Sequence, residues 1–375
     1  MSGEHPRIGI LGAGQLGLML AQAARDLDIG CRFYAESDDV PGASMGTVIR
    51  GSLDDEAGLA RFASGLDAVT YEWENVPVAA VRRVAEITPV RPASAALEVS
   101  QDRLAEKTFF TQLGEQTARF APVGSREALD KAVADLGFPS ILKTRRLGYD
   151  GRGQAVLRQP ADLGVAWQAL GVAGSNSVPL ILEERVNFDR ELSVIGIRGE
   201  DGSIACYPPV ENHHRDGILR VSTAPAPGIA AQTTAAAIRC ATRTLTALGY
   251  VGVLAIELFD VGGQLLVNEM APRVHNSGHL TIEGAVTSQF ENHVRAVLGL
   301  PLGDTRIRGA ASMVNLIGDL PPVSEVLAIP GAHLHLYGKS PRPGRKLGHV
   351  TVCADTQAQA AELRRQVESV MTRSR

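Results

Sequence analysis

The stretch IGILGAGQLGLML, Ile8 to Leu20, narrows most sharply what this chain can fold into. A short apolar run over residues 7–11 meets Gly12, Gly14 and Gly17 in the spacing G-x-G-x-x-G, and a helical pattern follows from about Leu16 to Leu27. Glycines at that spacing let a strand turn tightly into a helix whose N-terminus is open to close approach. Further strands read at Cys31–Glu36 and Asp67–Tyr71, so the N-terminal part is a parallel α/β unit. Just past the last strand, YEWENVP brings Glu72, Glu74 and Asn75 to the same carboxyl edge as the glycine turn. Taken alone, the turn with Glu36 beyond it reads as a dinucleotide fingerprint and suggests a dehydrogenase. The rest of the chain must account for it or replace it.

At 375 residues the chain exceeds one ordinary core, which predicts two or three domains. The 37 basic and 41 acidic side chains nearly balance and no basic tract stands out, which disfavours nucleic acid or an anionic membrane as the main partner. Residues 1–7 are polar and the next apolar run is broken by glycines, so neither a signal peptide nor a membrane span is expected. Cys31, Cys206, Cys240 and Cys353 are scattered without a C-x-x-C pair, as in a cytoplasmic protein with reduced thiols.

Farther along, a helix pattern at Ser100–Gly114 carries Arg103 and Lys107 on one side. Residues 119–185 read as a compact α+β module, with strands at SILKTR and LILEERV around a glycine-rich loop. Strands near 190–197 and 204–208, a helix near 231–248, the hairpin VLAIELFDVGGQLLVNEM and a helix near 287–298 follow. Gly262-Gly263 marks the hairpin turn, expected over Asp260–Leu265. Past Leu300, short apolar segments among Pro and Gly suggest a small β-rich C-terminal domain. These breaks give domains at 1–100, 101–300 (with the small module as a lid) and 301–375.

The most informative segment is KTRRLGYDGRGQ, Lys143 to Gln154. Lys143 ends an apolar strand, Gly148, Gly151 and Gly153 free the backbone to wrap an anion, and Arg145, Arg146 and Arg152 add positive charge. No G-K-[ST] and no helix follow, so it is not a Walker loop. The second element is the hairpin, where Glu257 and Glu269 lie on facing strands with no fixed cation beside them in sequence. A divalent ion such as Mg²⁺ takes hard oxygen ligands of this kind.

In order and spacing, Lys143, the glycine loop, Glu183 and the Glu257/Glu269 pair resemble the ATP-grasp superfamily, whose fold joins an N-terminal Rossmann-like domain to α/β and α+β parts. GQLGLML, YEWENV, GYDGRGQ, NHHRDGILR, GYVGV, NEMAPRVHNSGH and RPGRKLGH, spanning 14 to 349, resemble more closely the N5-carboxyaminoimidazole ribonucleotide synthetase family, the ATPase subunit of phosphoribosylaminoimidazole carboxylase. The resemblance implies an ATP site of Arg103, Lys143, a covering loop of Gly148, Tyr149, Asp150, Gly151, Arg152, Gly153 and Gln154, and an adenine and hinge side of Glu183, Glu184, Arg185 and Val186. It also implies Glu191 on the ribose, and His214, Asn268 and Glu269 near the nucleotide. Glu257 and Glu269 become the Mg²⁺ ligands, with Mn²⁺ as a substitute. The run Glu269-Met270-Ala271-Pro272-Arg273 lacks the asparagine of the wider E-x-N-x-R pattern, which leaves the number of metal ions open.

The implied reaction joins bicarbonate to the amine of 5-aminoimidazole ribonucleotide with ATP, through carboxyphosphate, in purine synthesis. Arg273, His275 and Asn276 suit a small anion, and His275 or Asp150 could take the amine proton. Lys339, Arg345 and Lys346 supply a cationic site for the ribonucleotide phosphate, with Gln15, Leu16 and Glu74 from the N-terminal domain. A homodimer follows from the resemblance only. A formate-dependent glycinamide ribonucleotide transformylase or a biotin carboxylase would use the same ATP site, and a non-catalytic nucleotide-binding scaffold is a further class. A dehydrogenase leaves the second glycine loop and the paired glutamates unexplained.

Overall fold

The computed structural model describes residues 5–373 apart from Asp38, 149–152 and 174–175. The N-terminal region runs β1 (Arg7–Leu11), α1 (Gln15–Asp26), β2 (Gly30–Ala35), β3 (Thr47–Arg50), α2 (Glu56–Ala63), β4 (Ala68–Tyr71), α3 (Val78–Ala85), α4 (Ser94–Ser100) and α5 (Arg103–Gln112). Its parallel sheet has the order β3-β2-β1-β4. All of β4 and residues 8–11 of β1 are buried, as expected of strands covered on both faces. The sequence reading missed the edge strand β3, which is short and only half-buried. The helix expected over 100–114 is α5, started where the Asp102 carboxylate accepts the Leu104 N–H.

The glycine turn is packed around a side chain of the chain itself. The Glu72 carboxylate accepts the N–H groups of Gly14 at 2.5 Å and Gly17 at 2.6 Å. A Cβ on Gly12 would lie 2.5 Å from the Glu72 side chain, and one on Gly14 2.8 Å from its Oε1. Gly12 also has φ +97°, where L side chains are strained. The glycines therefore admit an internal carboxylate to the positive end of α1. Glu36, the acidic residue of the dinucleotide fingerprint, is exposed just beyond β2.

The small module contains β5 (Phe120–Val123), α6 (Arg126–Leu136), β6 (Ser140–Thr144), β7 (Gln154–Leu157), α7 (Asp162–Leu170), the two-residue strands β8 (Val172–Ala173) and β9 (Asn176–Ser177), and β10 (Leu180–Glu184). Its sheet has the order β5-β10-β6-β7. Leu142, Leu180 and Leu182 pack against Leu129, Val133 and Leu163 of the helices. The period of two then turns Lys143 and Glu183 to the other face.

A nine-stranded sheet forms the centre, from β11 (Arg190–Arg198), β12 (Ile204–Cys206), β13 (Val210–Arg215), β14 (Ile218–Ala224), β15 (Gly252–Val261), β16 (Gln264–Ala271), β17 (Ala310–Ile317), β18 (Ala332–Leu336) and β19 (Lys346–Ala354), in the order β16-β15-β11-β13-β14-β17-β19-β18 with β12 beside β11. Helices α8 (Ala231–Ala247), α9 (Thr281–Gly284), α10 (Gln289–Val297), α11 (Val323–Leu327) and α12 (Gln357–Arg373) complete the chain. Ile256 and Leu258 pack toward α8, whereas Val253 and Ala255 pack toward α10 and the N-terminal region. Glu257 shares that second face.

The C-terminal segment is β-rich as expected, but its strands continue the central sheet through the β14–β17 pairing and make no sheet of their own. Strand β13 gives no strand pattern in the sequence because its residues ENHHR are polar, and its hairpin partner β14 goes unmarked with it. The hairpin turn of β15–β16 is confined to Gly262-Gly263, both at positive φ, so it is shorter than the expected Asp260–Leu265.

Gly14→Ala should lower stability by about 1–3 kcal/mol, because the added methyl overlaps the Glu72 carboxylate. The urea midpoint measures this; a midpoint equal to the parent protein's would show that the turn does not depend on that fit.

Candidate active site

A break in strand pairing sets the geometry of the site. Glu257 pairs with Glu269, but Leu258 pairs with Val267, so Asn268 is an extra residue in β16. Such a bulge re-aims side chains that strict alternation would put on opposite faces. Asn268 and Glu269 both line one cleft, of about 580 Å³, with Glu257 opposite. Helix α5 holds the bulge. The Glu106 carboxyl accepts the Met270 N–H at 2.7 Å, Lys107 Nζ donates to the Asn268 carbonyl at 2.8 Å, and Arg103 pairs with Glu269 at 2.8 Å. Positions 103, 106 and 107 share one helix face, which is why one helix can make all three contacts.

Burial, aided by the neighbouring Glu269 charge, pushes the Glu106 carboxyl up to about 8, so it is neutral at pH 7. Lys107 and Lys143 meet over a single carboxylate. Glu183 Oε2 lies 3.0 Å from Lys143 Nζ and 3.5 Å from Lys107 Nζ. Burial opposes the charge on Glu183, yet the two lysines hold it at about 2. Burial pushes Lys143 down, and Lys107 and Arg103 add to that against Glu183. Arg103, Lys107 and Lys143 thus gather at one end of the cleft, a grouping that suits an anion.

Next to this stands the segment after the hairpin. Arg273 Nε pairs with Glu74 across the interface with the N-terminal region. His275 Nε2 is 3.3 Å from Glu257, and its Nδ1 is 2.9 Å from Ser277 Oγ. Asn276 is 8% exposed, and neither its amide oxygen nor its nitrogen has a hydrogen-bond partner among the described residues. A buried amide with both ends unspent is costly unless something else satisfies it. On the far side Lys339 Nζ donates to Gln15 Oε1 at 2.6 Å.

The cleft lining brings together Gln15, Leu16, Glu74, Arg103, Lys143, Gly148, Gln154, Glu191, His214, Glu257, Asn268, Glu269, Arg273, His275, Asn276 and Lys346 from the residues expected on sequence grounds. Other expected residues have different surroundings. Glu183 is the counter-ion of two lysines, not an open hinge residue. Glu184 is turned to Arg119 at 2.8 Å. Arg185 is exposed, and neither it nor Val186 lines the cleft. Arg345 donates to Ser340 instead of reaching the cleft. Arg145 and Arg146 are tied to Asp102, at 2.7 and 3.3 Å. Glu191 already accepts from or shares a proton with His214 Nδ1 at 2.8 Å.

The two hairpin carboxylates have cationic neighbours after all, Arg103 and His275, supplied from elsewhere in the chain. Tyr149, Asp150, Gly151 and Arg152 lie outside the described residues. Gly153 is described, at φ +71°, but does not line the cleft. Sequence reasoning placed Lys107 beside Arg103 on one helix side and Glu72 at the edge of the glycine turn, but gave neither a role. The contacts of Lys107 with Glu183 and of Glu72 with the Gly14 and Gly17 N–H groups come only from the fold.

Burial disfavours the Glu74 charge, but Arg273 beside it brings the carboxyl from 4.5 to about 2. A folded value below the unfolded one stabilises the protein above about pH 4.5, and that contribution fades as pH falls toward 2. Glu74→Gln should therefore show a shallower loss of Tm between pH 4.5 and the lowest pH at which unfolding stays reversible, measured by calorimetry. An unchanged slope would mean that the pair contributes nothing to acid stability.

The sequence matches three family models in chain order: a ribonucleotide synthetase preATP-grasp domain over residues 6–101, an ATP-grasp domain over 108–290 and a phosphoribosylaminoimidazole carboxylase C-terminal domain over 311–363. It is 48% identical over 367 residues to N5-carboxyaminoimidazole ribonucleotide synthase of Pseudomonas aeruginosa, covering 97% of this chain and all of that protein. The fold matches the crystal structure of N5-carboxyaminoimidazole ribonucleotide synthetase from Thermus thermophilus with a TM-score of 0.92 at 52% identity, covering 97% of this chain and 98% of the other. It matches that of the Aspergillus clavatus synthase in complex with ADP and 5-aminoimidazole ribonucleotide with a TM-score of 0.90 at 31% identity, over 98% of this chain and 99% of the other. With its glycine turn, its lysine-bearing small sheet and its paired glutamates all inside the matched length, the chain belongs to the N5-carboxyaminoimidazole ribonucleotide synthase family of ATP-grasp ligases.

Proposed function

We propose that this chain carboxylates the amine of 5-aminoimidazole ribonucleotide with ATP and bicarbonate, giving N5-carboxyaminoimidazole ribonucleotide for purine synthesis. The observation that carries the reading is convergence. A cationic end around Lys143, the carboxylates Glu257 and Glu269, the Arg273–Asn276 segment and the Gln15–Lys346 end all line one cleft. The relatives' names and the Aspergillus complex with ADP and 5-aminoimidazole ribonucleotide support it over a transformylase, which would share only the ATP end.

In this reading Lys143, Lys107 and Arg103 hold the phosphates and spread charge as the γ-phosphoryl group moves. Glu257 and Glu269 fit a Mg²⁺ ion, since they offer opposed oxygens in the cleft. When bound, that ion would neutralise phosphate charge. A bicarbonate oxygen attacks the γ-phosphorus and ADP leaves. The carboxyphosphate rests against Arg273 and the Asn276 amide, and the substrate amine then forms the C–N bond as phosphate departs. His275 or Asp150 receives the amine proton. The loop of 148–154 covers the phosphates and keeps water from the intermediate.

Lys339 and Lys346 serve the ribonucleotide phosphate, with the backbone of Gln15 and Leu16 beside it. Burial, with Arg345 and Lys346 nearby, pushes Lys339 down from its ordinary value, so an arriving phosphate relieves repulsion there. We further assign domains at 1–100, 101–300 and 301–375, with 119–185 as the lid, and a homodimer working in the cytoplasm. No helix among the described residues is long and apolar enough to cross a membrane.

The reading predicts that ADP release from MgATP and bicarbonate rises when aminoimidazole ribonucleotide is added. An ADP release indifferent to that nucleotide, in a protein that still hydrolyses ATP, would exclude it as the substrate. Lys339→Ala should raise the KM for the ribonucleotide by about tenfold or more, the loss of one phosphate contact, with the KM for ATP nearly unchanged. The opposite pattern would move the phosphate site to the ATP end.

A further inference from the structure

Behind the cleft, three histidines meet where the segment after the hairpin touches the last two strands. His349 on β19 pairs in register with His335 on β18, and their rings stack with centroids 4.5 Å apart at 10°. The His279 ring packs on His349 at 5.0 Å. His279 and His349 are fully buried, and the Nε2 of each has no hydrogen-bond partner among the described residues. An aliphatic side chain would fill either place without that loss. The other nitrogen of His349 explains its presence: Nδ1 is 2.7 Å from the hydroxyl of buried Tyr337. Lys339 Nζ stands 5.6 Å from the centroid of the Tyr337 ring while it reaches Gln15. On the other side, Gln289 ties His279 to the segment in front of it. Its amide nitrogen is 3.4 Å from His279 Nδ1 and donates to the His275 carbonyl at 2.6 Å, and its oxygen accepts the His275 N–H at 3.0 Å.

Resting on the functional reading above, we propose that His349 is a positioning residue for the ribonucleotide: it fixes the Tyr337 ring under Lys339 and, through His279 and Gln289, sets that cation relative to the anion-binding segment Arg273–Asn276. Burial pushes both His279 and His349 well below the ordinary imidazole value, so neither carries charge near neutral pH. Their part is therefore to hold a bond and a distance, and proton transfer is left to the groups in the cleft.

The test uses His349→Phe, which keeps a ring and removes Nδ1, and Tyr337→Phe, which keeps the ring beneath Lys339 and removes the hydroxyl. Each should raise the KM for aminoimidazole ribonucleotide by about fivefold or more while the KM for ATP stays within about twofold. His349→Asn, whose amide can reach the Nδ1 position, should restore part of the loss seen with His349→Phe. Tyr337→Phe covers the case in which the histidine variants fold poorly. An unchanged ribonucleotide KM in Tyr337→Phe would overturn the proposal, and so would equal rises in both KM values, which mark a general structural defect. If the parent protein itself shows no response to the ribonucleotide, the functional reading falls and this inference with it; a response in the parent that both variants retain in full removes the inference alone.

Discussion

The contact of α5 with the bulged strand β16 is the interaction on which the site depends. A hairpin with strict alternation would send Asn268 and Glu269 to opposite faces. The extra residue turns both into the cleft at the cost of a disrupted ladder, and three side chains of α5 stabilise what the ladder loses. Glu106 takes the Met270 N–H, Lys107 takes the Asn268 carbonyl and Arg103 takes the Glu269 carboxylate. The same helix begins at Asp102, which also grips Arg145 at the root of the glycine loop. One short helix thus connects the loop, the lysine-bearing sheet and the paired glutamates. A change at Arg103, Glu106 or Lys107 is felt at the bulged strand and at the Lys143 end of the cleft.

Electrostatics inside that cleft are arranged in unequal groups. Glu106 is neutral because it is buried beside another carboxylate, whereas Glu183 stays ionised because two lysines crowd it. The result is a surplus of positive charge near Lys143. At the other end Arg273 is matched by Glu74, and the Asn276 amide is left with hydrogen-bonding capacity unspent. Ligands with negative charge at one end and a small planar anion in the middle fit such a distribution.

Much of this was legible before folding was considered. Lys143 at a strand end, Gly148 and Gln154 of the glycine loop and the Glu257/Glu269 hairpin were singled out by residue type and spacing, and Arg273, His275 and Asn276 by the reaction that the resemblance implies; all of them line the cleft. Gly262-Gly263 announced its turn because only residues tolerant of positive φ suit it. Strand β13 escaped because ENHHR lacks the apolar alternation that marks a strand, and without it β14 had no partner to pair with. The ion pairs of Glu184 with Arg119, and of Arg145 and Arg146 with Asp102, were not foreseen. Long-range pairing of charges has no signature in local spacing.

The glycine turn draws the line between the two kinds of knowledge. The sequence by itself determined a tight strand-to-helix turn, an open helix N-terminus and a parallel sheet, because glycine spacing and apolar periodicity act over a few residues of backbone. Only the tertiary structure decided what occupies that N-terminus. Glu72 lies more than fifty residues away in the chain, and the β1–β4 pairing brings its carboxylate onto the N–H groups of Gly14 and Gly17. The dinucleotide fingerprint is here a cradle for an internal anion, since a helix end and a carboxylate attract each other wherever folding sets them together.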